Sequence, residues 1–129
     1  MAELVRDETA SVRFDVRPGD ARGALKALVD EYERMGDLNI RMLTSALDVE
    51  RLAEILGMAR RSHRLWIETV FANSLPSPKK ARERAINSIY AATDVYVWKL
   101  LRRDLGLSRD ETQRVMTDLV LGVINARRP

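Results

Sequence analysis

The chain of 129 residues contains no cysteine and a single histidine, His63. Disulfides, thiol nucleophiles and cysteine-ligated metals are therefore excluded, and one imidazole does not make a zinc site of the usual kinds. Aromatics are scarce, with two Trp, three Tyr and two Phe, and glycine and proline number six and four. No Gly-rich phosphate loop, HExxH or GxSxG motif occurs, and neither Glu68 nor Glu83 has a histidine at the spacing a di-iron bundle uses. Asp110 and Glu111, like Asp48 and Glu50, are explained by helix starts, where carboxylates meet the positive end of the dipole. No catalytic constellation remains, and no cofactor is expected. No apolar run reaches the roughly 18 residues of a membrane span, and the start, MAELVRDETA, is too charged for a secretory signal. A soluble cytoplasmic protein is the expectation. The net charge of +3 is spread over short basic pairs (Arg60-Arg61, Lys79-Lys80, Arg102-Arg103) interleaved with acids. That is the pattern of solvated helix faces rather than of a nucleic-acid stripe.

What is abundant is helical periodicity. Leu25, Leu28, Val29 and Tyr32 form a stripe over residues 21–35, after the turn Pro18-Gly19-Asp20, with Gly36 as the stop. Asp37 is positioned to cap a second helix over 38–47, and Asp48 a third over 49–72. In the third, Leu52, Leu56, Ala59, His63, Trp66 and Val70 recur at alternating four and three, and Gly57 marks a bend or a close crossing. Ser77 caps a fourth helix, with Pro78 at its first position, running to about residue 105. Gly106 fits a left-handed stop with Leu107 folding back. Ser108-Arg109-Asp110-Glu111 is a capping box for the last helix, over 109–126. Residues 1–17 are ambiguous. Val12, Phe14 and Val16 alternate like a strand, but nothing is available to pair with one, so a frayed helix leading into poorly ordered extended chain is expected. The fold class is thus all-α, a bundle of about five mostly antiparallel helices in one domain over 18–129.

The fourth helix has two seams. Ile86, Ile89, Tyr90, Thr93, Val97, Leu100 and Leu101 form one; Ser88, Ala91, Val95 and Trp98, bracketed by Arg84 and Arg102, form another roughly opposite. In the last helix, Val115, Met116, Leu119 and Val123 form a stripe that Val120, Leu121 and Ile124 widen, and Gly122 is tolerable where another backbone comes close. Such breadth fits either the interior of a monomeric bundle or a homodimer built as a four-helix bundle, two helices from each subunit. The dimer reading assigns Ser88, Ala91, Asp94, Val95, Trp98, Arg102, Val120, Leu121 and Ile124 to the interface. Asp94 is then either solvated or paired with Arg102 or Arg103 of a neighbour.

Two stretches, RRSHRLWIETVFANSLP and AATDVYVWKLLRRDLGLSRDETQRVMTDLVLGVI, resemble the C-terminal half of TetR-family transcriptional regulators, and the likeness extends over about residues 18–126. The resemblance implies a ligand-binding and dimerisation domain of a transcriptional regulator, commonly a repressor, that reaches DNA only through a helix-turn-helix head. No such head is found in this sequence, and residues 1–17 would correspond to the helix that links it. Three helices would offer an apolar wall to a small apolar or amphipathic effector: Met42, Leu43, Leu47, Ala59, His63, Trp66, Ile67, Val70, Ile86, Tyr90 and Val97. His63 is either the polar group that orients that effector or a core histidine bonded to a carbonyl. The competing reading is a helical dimerisation or interaction module without a ligand.

Overall fold

The computed structural model describes residues 13–44 and 49–126, and among these no strand occurs: the chain is all-α. Four long helices, α1 (Ala21–Thr44), α2 (Val49–Val70), α3 (Lys79–Ala92) and α5 (Arg109–Asn125), are joined by a short α4 (Val95–Lys99) that runs into a π-turn at Leu100–Asp104. A 3-10 turn at Ala72–Ser74 follows α2. Helix α1 lies at the centre and packs on α2, α4 and α5, while α3 packs on α2 and α5. The stripe Leu25, Leu28, Val29 and Tyr32 is buried as its spacing requires, facing Met116, Val120, Ile86 and Ile89 in one core.

Local signals set the ends. The Asp20 carboxylate accepts the Gly23 amide at 3.0 Å beside Gly19, whose φ of 88° is the left-handed geometry of the turn. Gly106, at φ 69°, stops the chain after the π-turn, and the Leu107 amide returns to the Leu101 carbonyl at 3.0 Å. The Ser108 hydroxyl accepts the Glu111 amide at 3.1 Å. Helix α3 begins one residue later than its proline suggests. Pro78, not Ser77, holds the N-cap position, and it supplies its carbonyl to Arg82 at 2.8 Å.

Two expected boundaries move. The helices expected over 21–35 and 38–47 are one helix as far as Thr44, residues 45–48 with the expected cap Asp48 lying outside the described residues, and Asp37 caps nothing; it receives Arg103 in a two-pronged ion pair. Gly36 sits mid-helix because Trp98 lies against it: a Cβ there would stand 2.6 Å from a ring carbon of Trp98. Helix propensity alone credits Gly→Ala with about 1 kcal/mol. The contact reverses the sign, so Gly36→Ala is expected to lose about 1–3 kcal/mol through overpacking, read as a lower urea midpoint at unchanged m-value. Gly57, in contrast, marks neither bend nor crossing, since only the side chain of Arg61 in its own helix lies within reach.

The second moved boundary divides the helix expected over 78–105. Thr93 closes α3 at φ −112°, Asp94 is extended, and the Asp94 carboxylate accepts the Tyr96 amide at 3.1 Å as the N-cap of α4. Asp94 thus has a role within its own chain that the spacing did not suggest: it starts a helix. Of the lead expected over 1–17, residues 1–12 lie outside the described residues. Arg13 and Phe14 are helical, and Arg13 is buried.

Candidate functional site

The inner end of α2 carries the residues expected to line an effector site. His63, Trp66, Ile67 and Val70 are buried there, and Ile86 of α3 joins them. Tyr90 and Val97 are half-buried at the edge. Met42 and Leu43 are half-buried near the far end of α1, Ala59 is exposed, and Leu47 lies outside the described residues. The wall is therefore brought together at its centre and not at its ends. Rings fill that centre. His63 stacks on Trp66 at 5.4 Å and meets the edge of Tyr90 at 4.6 Å, and Trp66 meets Phe71 edge-on at 5.6 Å.

Around these rings runs a buried polar chain; periodicity placed Tyr32 and Thr93 on buried stripes but gave no sign of Arg13, of Glu31 or of the bonds between them. The Arg13 guanidinium lies over Trp66 at 4.9 Å and over Tyr32 at 6.0 Å, and its Nε faces Glu31 Oε2 at 2.9 Å. Trp66 Nε1 donates to the Arg13 carbonyl at 3.0 Å. Arg13 Nη2 donates to the Tyr32 hydroxyl at 3.3 Å, which donates to the Thr93 carbonyl at 2.7 Å. The Thr93 hydroxyl gives its proton to the Ile89 carbonyl at 2.7 Å, so His63 Nε2, 2.8 Å from that hydroxyl, is the donor of the pair. This assigns the neutral Nε2–H tautomer. Sequence patterning cannot see such a chain, because its bonded members lie far apart, Arg13 from Glu31 and Tyr32 from Thr93, the latter two 61 residues apart.

Burial dominates the electrostatics of the cluster. It pushes the His63 pKa down to about 3, the positive charge of Arg13 acting in the same direction and the Tyr90 carbonyl against it. Burial likewise raises the Glu31 carboxyl, with the attraction of Arg13 opposing. For His63 the linkage has a definite sign. An unfolded chain takes up a proton below about pH 6.5 while the folded one refuses it until about pH 3. Stability is therefore present above pH 6.5 and is lost as pH falls toward 3. By pH 5 the loss is about 2 kcal/mol relative to pH 8. Urea unfolding of wild type and His63→Gln at the two pH values measures it; equal pH dependence in both would dispose of the assignment.

The residues expected at a dimer face divide sharply. Trp98 is fully buried between Gly36 and the ring of Tyr32, donates Nε1–H to Glu33 at 2.9 Å, and carries the Arg103 guanidinium over its other side at 5.1 Å. Arg102 holds Glu33 and the Leu107 carbonyl of its own chain. Val120 and Ile124 are buried as well, and Leu121 is half-buried. Helix α5 thus turns the other way from its apolar count. Its inward face includes Thr112 and Thr117, and the Thr117 hydroxyl is satisfied by the Gln113 carbonyl of its own helix at 2.7 Å.

That rotation leaves Val115, Leu119, Gly122 and Ala126, at i, i+4, i+7 and i+11, on the outer side; Val115 is half-buried and the other three are exposed. On α3 and α4 the outer side holds Ser88, Ala91 and Val95, with the Ser88 hydroxyl turned back onto the Arg84 carbonyl. The two strips neighbour each other. Gln113, Arg114, Thr117 and Asp118 border Arg22 of α1 in an open polar cleft of about 360 Å³, so the opposite flank of α5, carrying Val115 and Leu119, is the one toward α3. Among the described residues no helix is long and apolar enough to cross a membrane. No family model, curated protein or solved structure matches the chain.

Proposed function

We propose that this chain is the dimerisation and regulatory domain of a TetR-like transcriptional regulator, two copies joining through α3 and α5 into a four-helix face. The observation that carries the reading is the strip of small and apolar residues Ser88 and Ala91 on α3 and Leu119, Gly122 and the C-cap Ala126 on α5, flanked by Val95 of α4 and Val115, which are half-buried against the core. Small side chains let helices approach closely, and Gly122 has nothing within 4 Å where a Cβ would be. The residue pattern of 77–124 and the all-α fold support the same reading. An apolar effector enters from the outer halves of α1 and α2, where Ile40, Met42, Leu43, Leu52, Ile55 and Leu56 are all only half-buried. To reach His63 it displaces one of the rings packed there, and it acts through its preference for the displaced arrangement.

Sedimentation over a concentration series tests the dimer. Wild type is expected to dimerise. Leu119→Asp, which alters a side chain 47% exposed in the single chain, is expected to weaken the dimer roughly a hundredfold or more, through a carboxylate buried without a partner. A wild-type monomer at high concentration, or an unaffected variant, would refute the reading. The close ring packing around His63 favours a second reading in which the domain dimerises and binds no effector; apolar compounds that raise the melting temperature would count against it.

A further inference from the structure

The break between α3 and α4 leaves one carbonyl to be accounted for. In an uninterrupted helix the Thr93 carbonyl would accept the Val97 amide. Here the Val97 and Trp98 amides turn instead to the Asp94 carbonyl, at 3.1 and 3.3 Å. The freed Thr93 carbonyl is taken by the Tyr32 hydroxyl at 2.7 Å, and that hydroxyl in turn accepts from Arg13 at 3.3 Å. The side chain of Thr93 reinforces the bend, its hydroxyl bonded back to Ile89 and approached by His63. The local pattern of residues 79–104 is compatible with a continuous helix. Local bonds hold the bend from within, the Asp94 carboxylate on the Tyr96 amide and the Thr93 hydroxyl on Ile89, and Tyr32 and His63 add bonds from the helices packed against it.

We propose that Arg13, through Tyr32, is a latch that sets this bend: the placement of the lead at Arg13 determines whether α3 and α4 are broken or continuous at Thr93. Arg13 is well placed for the role. It is held on three sides, by Glu31, by the faces of Trp66 and Tyr32, and by the indole N–H on its carbonyl. Withdrawing it removes the donor that orients the Tyr32 hydroxyl toward Thr93. The Thr93 carbonyl is then left to the Val97 amide, and α4 swings with Trp98 and the arginines that follow it. Arg13 and Tyr32 act here as positioning residues, and the inference does not depend on the dimer or on an effector.

Amide hydrogen exchange across the whole chain tests it, in wild type, Arg13→Met, Tyr32→Phe and the double variant. Both single variants are expected to change exchange at residues 93–98, which Arg13 does not touch, by roughly fivefold, the size of one net hydrogen bond. The double variant is expected to change it no further than Tyr32→Phe alone. Changes confined to the neighbours of Arg13 in α1 and α2 would overturn the proposal. So would a uniform acceleration over the chain, which a purely structural role gives, or additive effects in the double variant. Should Arg13→Met not fold, Arg13→Lys, which keeps the charge and loses the flat fork, is read by the same criteria.

Discussion

Glu31→Ala is expected to remove about 3–5 kcal/mol of folding stability, more than its single ion pair suggests. The reason lies with the partner left behind. Arg13 is buried over Trp66 and Tyr32, and without Glu31 its charge keeps only the Tyr32 hydroxyl and the two ring faces. Arginine does not escape the cost by losing its proton. Burial also disfavours the Glu31 carboxylate, so the pair balances two desolvated charges rather than adding a large net gain. The double variant Arg13→Met, Glu31→Leu is accordingly expected to recover most of the loss. Urea unfolding of the two single variants and the double one measures the coupling. If Glu31→Ala costs less than about 1 kcal/mol, as exposed ion pairs do, the pair is not buried in solution.

Trp98→Ala is the second large effect, expected at about 3–5 kcal/mol from the cavity left by a fully buried indole. It also strands Glu33, which loses the indole donor and keeps Arg102. The informative comparison is with position 36. Once the ring is gone, Gly36→Ala no longer meets a carbon at 2.6 Å and reverts to the ordinary helix preference, so the same substitution changes sign between the two backgrounds. A double-mutant cycle followed by urea denaturation reads this directly. A Gly36→Ala cost that persists in the Trp98→Ala background would mean that something other than the ring opposes a side chain there.

These residues also show where sequence reading stops. The Pro18-Gly19-Asp20 turn, the Gly106 stop and the Ser108 cap are determined by neighbours within a few positions, and all three stand as expected. Gly36 has the local character of a stop and is not one, because what decides it is an indole 62 positions away. Thr93 and Asp94 lie in a run whose periodicity continues through them; the break combines a local cap, Asp94 on the Tyr96 amide, with bonds from Tyr32 and His63 that no local pattern contains. The inward face of α5 includes Thr112 and Thr117, which an apolar count does not register; the Thr117 hydroxyl, bonded to its own helix, packs there like an apolar group. Of the centre of the candidate site, His63, Trp66 and Val70 lie on one seam, with Ile67 beside it and Ile86 on a stripe of the next helix. Arg13 and Glu31 were not legible, since neither lies on an apolar stripe; Tyr32 and Thr93 did lie on stripes, but their bond to each other carries no periodic signature.

The central position of α1 has a consequence for synthesis. Its stripe is made early and meets its main partners late: Tyr32 is bonded to Thr93, 61 residues on, and Asp30 is paired with Arg109, 79 residues on. A chain growing from its N-terminus carries Leu25, Leu28 and Val29 only partly covered until Met116 and Val120 of α5 have been made. Premature termination anywhere before residue 109 therefore releases a fragment with its most apolar helix face partly open, a substrate for chaperones and proteases rather than a smaller folded domain.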